Sequence, residues 1–258
     1  MSLVYVYAIA HADGAPPADL RGMDEGVVRV ERAAGLTAFV SDVPEDEFAE
    51  VPLNANIANM DWLAPRAIRH QEVNAGLAAA VDPLVPLSFG TVFRDRAGVE
   101  RMLRERAAEV VPRLDALRGK AEWIAVVRRD ETVALAALES ASAVLRELRG
   151  QVEAAAPGRS YLIARRLDET RRQELRASDA GAVGAAVAAL EGTGGRLFRE
   201  PLVADAGGGV VARFSVLAGR GAGAELDRTR IGDWADRGYA LELSGPWPAY
   251  RFATVDPT

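Results

Sequence analysis

The sequence contains no cysteine. Disulfides, thiolate metal sites, iron–sulfur clusters and cysteine nucleophiles are thereby excluded together, and a reducing compartment such as the cytoplasm is expected. Histidine is almost as scarce. His11 and His70 are the only two, they fall in different elements, and neither has a second histidine at helical spacing, so there is no HExxH pair. His70, in RAIRHQEVN, is expected to be a surface or cap-adjacent imidazole. No G-x-S-x-G elbow is present, and Ser244-Gly245 lacks the strand–turn–helix setting that exposes an attacking hydroxyl. The glycine string GRGAGAE at 219–225 has G-x-G-x-G spacing and no Walker lysine, so it reads as a loop leading into a helix. Excess positive charge is missing too. The net charge of −6 argues against a nucleic-acid partner or a polybasic membrane dock. The longest apolar run, AVGAAVAAL at 182–190, is far short of the ~20 residues that cross a bilayer, and the start, MSLVYVYAIAHADG, lacks the basic flank of a signal peptide. The residues suggest no catalytic, metal or cofactor constellation, and the chain is expected not to be an enzyme.

What is present suits two domains. The chain has 258 residues, 49% of them apolar, enough for two cores of ordinary size. The expected class is α+β, with an N-terminal α+β domain over 1–118, a second domain over 119–246 and an extended aromatic tail over 247–258. In the first domain Leu3, Tyr5, Tyr7 and Ile9 alternate as one face of a strand. Short strands follow at 27–30 and 36–41, then a helix from Asp61 to Val81 starting near Pro65, a strand at 84–88, and an amphipathic helix from Asp95 to Leu117. In the second domain Lys120–Arg128 reads as a strand. Leu138, Ala141, Leu145, Leu148, Val152 and Ala155 form a narrow helical seam. Helices at 159–176 and 179–190 come next, then strands at 196–204 and 210–217 around a loop at 205–209, a helix ending near Ala235, and a final strand from Tyr239. This order is that of a split βαβ, ferredoxin-like domain with extra helices.

Aromatics are few, 6% of the chain, so their clusters are informative. In SGPWPAYRF, Pro246 and Pro248 fix their own φ and lack N–H donors, which predicts an extended segment presenting Trp247, Tyr250 and Phe252. These three either clamp the tail onto the chain's own domains or form part of a partner surface. In PLVPLSFGTVFRD, residues 83–95, Gly90 permits a chain reversal, Phe89 is expected to pack near the domain junction, and Asp95 is placed to cap the next helix. Arg165-Arg166 and Arg171-Arg172 are able to grip an anion, but Asp168 and Glu169 beside them favour local pairing.

The segments VYVYAI, PLVPLSFGTVFRD, GKAEWIAVV, GRSYLIARR and LELSGPWPAYRF occur in the order found in the gas vesicle GvpF/GvpL proteins, and the chain resembles that family over nearly its whole length. Ser88 stands where a basic residue is often found, and Ala249 takes a usual second-proline place. The resemblance implies a two-domain α+β accessory protein with ferredoxin-like character. Such a protein works at the gas vesicle or in the cytoplasm, has no cofactor, and assists vesicle assembly by engaging the small, apolar major shell protein and other accessory proteins. Phe89, Gly90, Thr91, Tyr161, Arg165, Arg166, Trp247, Tyr250 and Phe252 are the motif or partner-binding candidates it implies. Two alternatives remain open from the residues: two ferredoxin-like halves enclosing a haem, with His70 as axial ligand, and a small-molecule-binding module built on the arginine-rich helix at 159–176.

Overall fold

The computed structural model describes residues 2–202, 209–229 and 231–253. The chain divides into two compact units, Met1–Glu122 with Pro246–Thr258, and Trp123–Gly245. Each is built on an antiparallel sheet.

Unit 1 is organised around β1 (Ser2–His11), buried along almost its whole length. β1 pairs on one side with β3 (Leu36–Pro44), which pairs in turn with β2 (Arg29–Ala33). On its other side it holds two short strands, β4 (Leu84–Pro86) at Ala8–Ala10 and β5 (Val92–Phe93) at Val4 and Tyr5. The register between β1 and β3 slips between Val6 and Ala8. This bulge corrects the simple alternation expected for the strand. Leu3, Tyr5, Tyr7, Ala8 and Ala10 share one packed cluster, and Ile9, displaced by the extra residue, turns to the other face, as one inserted residue requires.

The helices of unit 1 are α1 (Glu45–Phe48), α2 (Glu50–Ile57), α3 (Met60–Ala80) and α4 (Arg96–Leu117). α3 matches the expected Asp61–Val81 span within one residue but begins well before Pro65, because Asn59 caps it by accepting the Asp61 N–H at 3.1 Å. Val73 and Leu77 of α3 are fully buried against the Tyr5–Tyr7 face. α4 starts where Asp95 accepts the Gly98 N–H at 2.7 Å, and it buries Val99, Leu103, Val110 and Leu114 completely. After Trp247 the chain does not remain extended. The Ala253 N–H bonds to the Ala249 carbonyl at 2.8 Å, so 249–253 form a turn, with Ala249 and Ala253 buried.

Unit 2 carries β6 (Lys120–Arg129), α5 (Glu131–Ala141), α6 (Ala143–Ala154), α7 (Pro157–Glu191), β7 (Arg196–Glu200), β8 (Val210–Gly219), α8 (Gly223–Leu226) and β9 (Tyr239–Trp247). Its sheet order is β7-β8-β6-β9. Three helical expectations are corrected here. The Leu138–Ala155 seam is two helices, because Ser142 caps α6 through the Leu145 N–H at 3.2 Å. The helices expected at 159–176 and 179–190 are one helix of 35 residues. Asp179 does not cap: its carboxylate accepts Arg129 Nη1 at 2.6 Å and the Tyr239 hydroxyl at 2.8 Å, which ties mid-helix to β6 and β9. The helix expected to reach Ala235 stops at Leu226, followed by a single 3-10 turn at Gly232–Trp234. β7 ends at Glu200, before Pro201, which has no N–H to donate to a ladder. The loop expected at 205–209 lies largely outside the described residues.

Spanning about 52 Å at 1.5 Å per residue, α7 serves two cores. Its C-terminal half buries Ala182, Val183, Ala186 and Leu190 in the sheet cluster with Trp123, Phe214 and Tyr239. Its N-terminal half packs on α6 through Leu145, Leu148 and Leu167, flanked by Leu138, Val152 and Ile163.

Candidate functional site

The Phe89-Gly90-Thr91 turn sits on a buried polar network in unit 1. Gly90 has φ of +82°, a left-handed conformation that disfavours any residue with a Cβ. That conformation aims its N–H at the Tyr5 hydroxyl, 3.0 Å away. The same hydroxyl meets His70 Nδ1 at 2.9 Å, and the Asn74 side-chain amide meets His70 Nε2 at 3.0 Å. Thr91 closes the turn with its hydroxyl donating to the Ser88 carbonyl at 2.8 Å, while its own carbonyl accepts the Val6 N–H at 2.9 Å. The Phe89 ring lies 5.7 Å from His70, 6.1 Å from Tyr5 and 6.4 Å from Trp62, mostly edge to face.

His70 is therefore not the surface imidazole expected. Its position on α3, one turn before Asn74, directs it inward, and it is only 5% exposed. Burial lowers its pKa to about 4, so the ring is held neutral, an effect that a hydrogen bond to the Leu87 backbone opposes only in part. Both ring nitrogens are engaged with side chains, so an axial bond to haem iron would have to break one of these contacts. Burial likewise raises the pKa of the Tyr5 hydroxyl, against the Gly90 hydrogen bond. Among the described residues no group of three or more His, Asp or Glu is placed to hold a metal ion, and no helix is long and apolar enough to cross a membrane.

Beside this turn opens a groove of about 870 Å³. Its lining brings together residues from four stretches: Leu3 of β1, Glu45 to Asn54 of α1 and α2, Gly90, and Val92 to Arg94 around β5. Val92 and Phe93 are partly exposed in its floor above the buried Phe48 and Leu53, Glu45 and Glu50 line it as acids, and Arg94 is its one cation. The stretch from Pro44 to Asn54 holds four acids and no base. Sequence reasoning singled out Gly90 but missed the groove, whose walls are distant in the chain and meet only through the β1–β5 pairing.

The other candidates fall in different places. Tyr161, Arg165 and Arg166 lie on α7, with Tyr161 69% exposed. Trp247 ends β9 and is 37% exposed. Tyr250 and Phe252 are half-buried. Tyr250 belongs to unit 1, where its hydroxyl is buried near Asn74 and makes no hydrogen bond of good geometry. Burial pushes its pKa up to about 12, the Asn74 side chain softens that rise, and Glu122 adds to it. The adjacent Arg251 N–H donates to the Glu122 carboxylate at 2.7 Å.

The profile of the family described as "Gas vesicle synthesis protein GvpL/GvpF" matches residues 3–254. A gas vesicle protein L from Streptomyces sp. (strain CB03234) is 32% identical over 98% of this chain and 93% of its own length. A gas vesicle protein F from the same organism is 31% identical over 96% of this chain and 98% of its own length. The crystal structure of the gas vesicle protein GvpF from Anabaena sp. PCC7120 superposes with a TM-score of 0.77 over the whole of both chains at 18% identity, a likeness of fold. On the profile match and these two relatives together, the chain belongs to the GvpL/GvpF family of gas vesicle synthesis proteins.

Proposed function

We propose that this protein assists gas vesicle assembly by binding the apolar major shell protein, and that it also meets other vesicle accessory proteins, acting at the vesicle or in the surrounding cytoplasm without catalysing a reaction. The family places it among gas vesicle proteins, and the observation that carries the binding reading is the groove beside Gly90. Val92 and Phe93 are partly exposed in its floor, its rim is polar and charged, and β5 on one wall pairs only with β1 among the described residues. An apolar subunit waiting to be incorporated exposes surface and strand edges that aggregate unless covered, and a groove of this kind covers one apolar segment reversibly.

The Phe89–Thr91 turn serves this reading as a scaffold. Gly90 lines the groove directly, and the Tyr5–His70–Asn74 network behind it keeps the wall rigid. Trp247, Tyr250 and Phe252 act through unit 1, to which the tail segment belongs. The strand order of unit 2 supports a ferredoxin-like reading with α5, α6 and the long α7 as additions. The test is co-purification of the tagged chain with the shell protein made in the same cell. Retention of the shell protein by the tagged chain is expected, and a chain that retains none would overturn the proposal.

A further inference from the structure

We propose that this protein self-associates head to tail, the outward face of α7 around Tyr161 in one copy seating in the unit 1 groove of a second copy. The proposal uses the same groove as the vesicle reading, so a second copy and the shell protein would compete for it, but it is tested on copies of this chain alone.

Two surfaces on the page match in chemistry. The first is the N-terminal part of α7. Tyr161 and Leu162 are 69% and 65% exposed, although the opposite side of the same turns buries Leu167 and half-buries Ile163. Helical geometry brings Arg165 and Arg166 one turn beyond the exposed pair, with Arg159 just before it. These three arginines form no ion pair among the described residues, whereas Arg171, on the side facing α5, is bound to Glu139 and Asp168. Between Pro157 and Arg172 there are five arginines against two acids, a balance of +3 in a chain whose net charge is −6. An aromatic and a leucine held in water inside a ring of unpaired arginines describe a surface suited to an apolar floor with an acidic rim.

The second surface has that character. The groove offers the partly exposed Val92 and Phe93 over the buried Phe48 and Leu53, and the acids Glu45 and Glu50 outnumber its one cation, Arg94. A helix lying in a groove by its apolar residues is a recurrent recognition mode. The contact is limited: one or two helical turns in one groove cover less than the ~1,200 Å² typical of stable complexes. The association is therefore weak, salt-sensitive and concentration-dependent. Each copy carries one groove and one helix face, so the interface is heterologous, and it extends past a dimer as concentration rises unless the rotation closes a ring.

The experiment is sedimentation velocity on the full chain at low and high salt, from roughly 1 to 200 µM, the range in which a micromolar contact is read. Wild-type protein is expected to gain mass with concentration and to lose that gain in high salt. The groove reversal Glu45→Lys with Glu50→Lys, and separately the helix reversal Arg165→Glu with Arg166→Glu, should each leave a monomer. The variant carrying all four changes should associate again, because complementarity is restored with opposite sign. Tyr161→Ser with Leu162→Ser, which leaves the charges alone, should also be monomeric, and unchanged melting temperatures would show that the variants are folded. A wild-type monomer at every concentration and salt overturns the proposal. So does association that survives either reversal, or a quadruple variant that stays monomeric while folded. A wild-type chain that remains monomeric yet still retains the shell protein would overturn self-docking and leave the vesicle reading intact.

Discussion

The two units solve the problem of a small core in different ways. Unit 1 fills its interior with rings. Tyr5, Tyr7, Phe39 and Phe48 are at most 1% exposed, and Tyr5 alone stands within about 6 Å of four other rings: Tyr7, Phe48, His70 and Phe89. Its hydroxyls are then tied down, Tyr5 to His70 and Gly90, Tyr7 to Ser41 and the Met23 N–H, both at 2.6 Å. Unit 2 relies on close approach instead. Ala125, Ala182, Ala186 and Ala212 are fully buried around Trp123, Phe214 and Tyr239, and the Trp234 indole lies so near Gly181 of α7 that a methyl group there would overlap it. A ring core with internal hydrogen bonds holds one shape, which suits a unit that must present a groove. An alanine core lets a long helix lie tight on a sheet while its far half packs on α6.

Truncating a ring in unit 1 should have the largest effect. Phe39→Ala, at a site with no exposure, should cost about 3–5 kcal/mol, read as a lower urea midpoint. Next comes acid sensitivity confined to unit 1. His70 has a folded-state pKa of about 4 against an ordinary 6.5, so its contribution is complete above pH 6.5 and is lost as pH falls toward 4. The full loss is about 3 kcal/mol, roughly 2 of it by pH 5. Urea midpoints at pH 7 and pH 5 should show this drop in wild type, and His70→Gln should remove that share of the slope. If the variant keeps it, the buried neutral imidazole is not its source. In unit 2 the vulnerable direction is enlargement. Ala186→Leu should cost roughly 1–3 kcal/mol by overpacking α7 against the sheet, measured by thermal melting. The smallest effect belongs to Tyr250→Phe, which removes a hydroxyl that makes no hydrogen bond of good geometry. Its stability should stay within about 0.5 kcal/mol of wild type.

Local signals were legible in the sequence. Asp95 before an amphipathic run marked the start of α4, and the alternation of Tyr239, Leu241 and Leu243 marked β9, whose burial follows that pattern. The seam through Leu138, Leu145, Leu148 and Val152 proved to be one small core even though Ser142 divides it into two helices. What could not be read is non-local. The bulge at Tyr7–Ala8 is set by pairing with β3, the continuity of α7 by Asp179 bonding to β6 and β9, and the burial of His70 by a tyrosine 65 residues away. The groove is the extreme case. Leu3, Leu53 and Phe93 carry no joint signal until the sheet closes, so the candidates visible in sequence were the turn beside it and the aromatics elsewhere.

The central claim is that this groove holds an apolar segment of the vesicle shell protein. Asn54→Trp places an indole over the floor from an exposed position on the groove wall, leaving the core untouched. Retention of the shell protein by wild-type and Asn54→Trp chains, compared at equal melting temperature, measures the claim directly. The account predicts that the wild type retains the shell protein and the filled groove loses at least ten-fold, about 1.4 kcal/mol. Equal retention by both chains would contradict it.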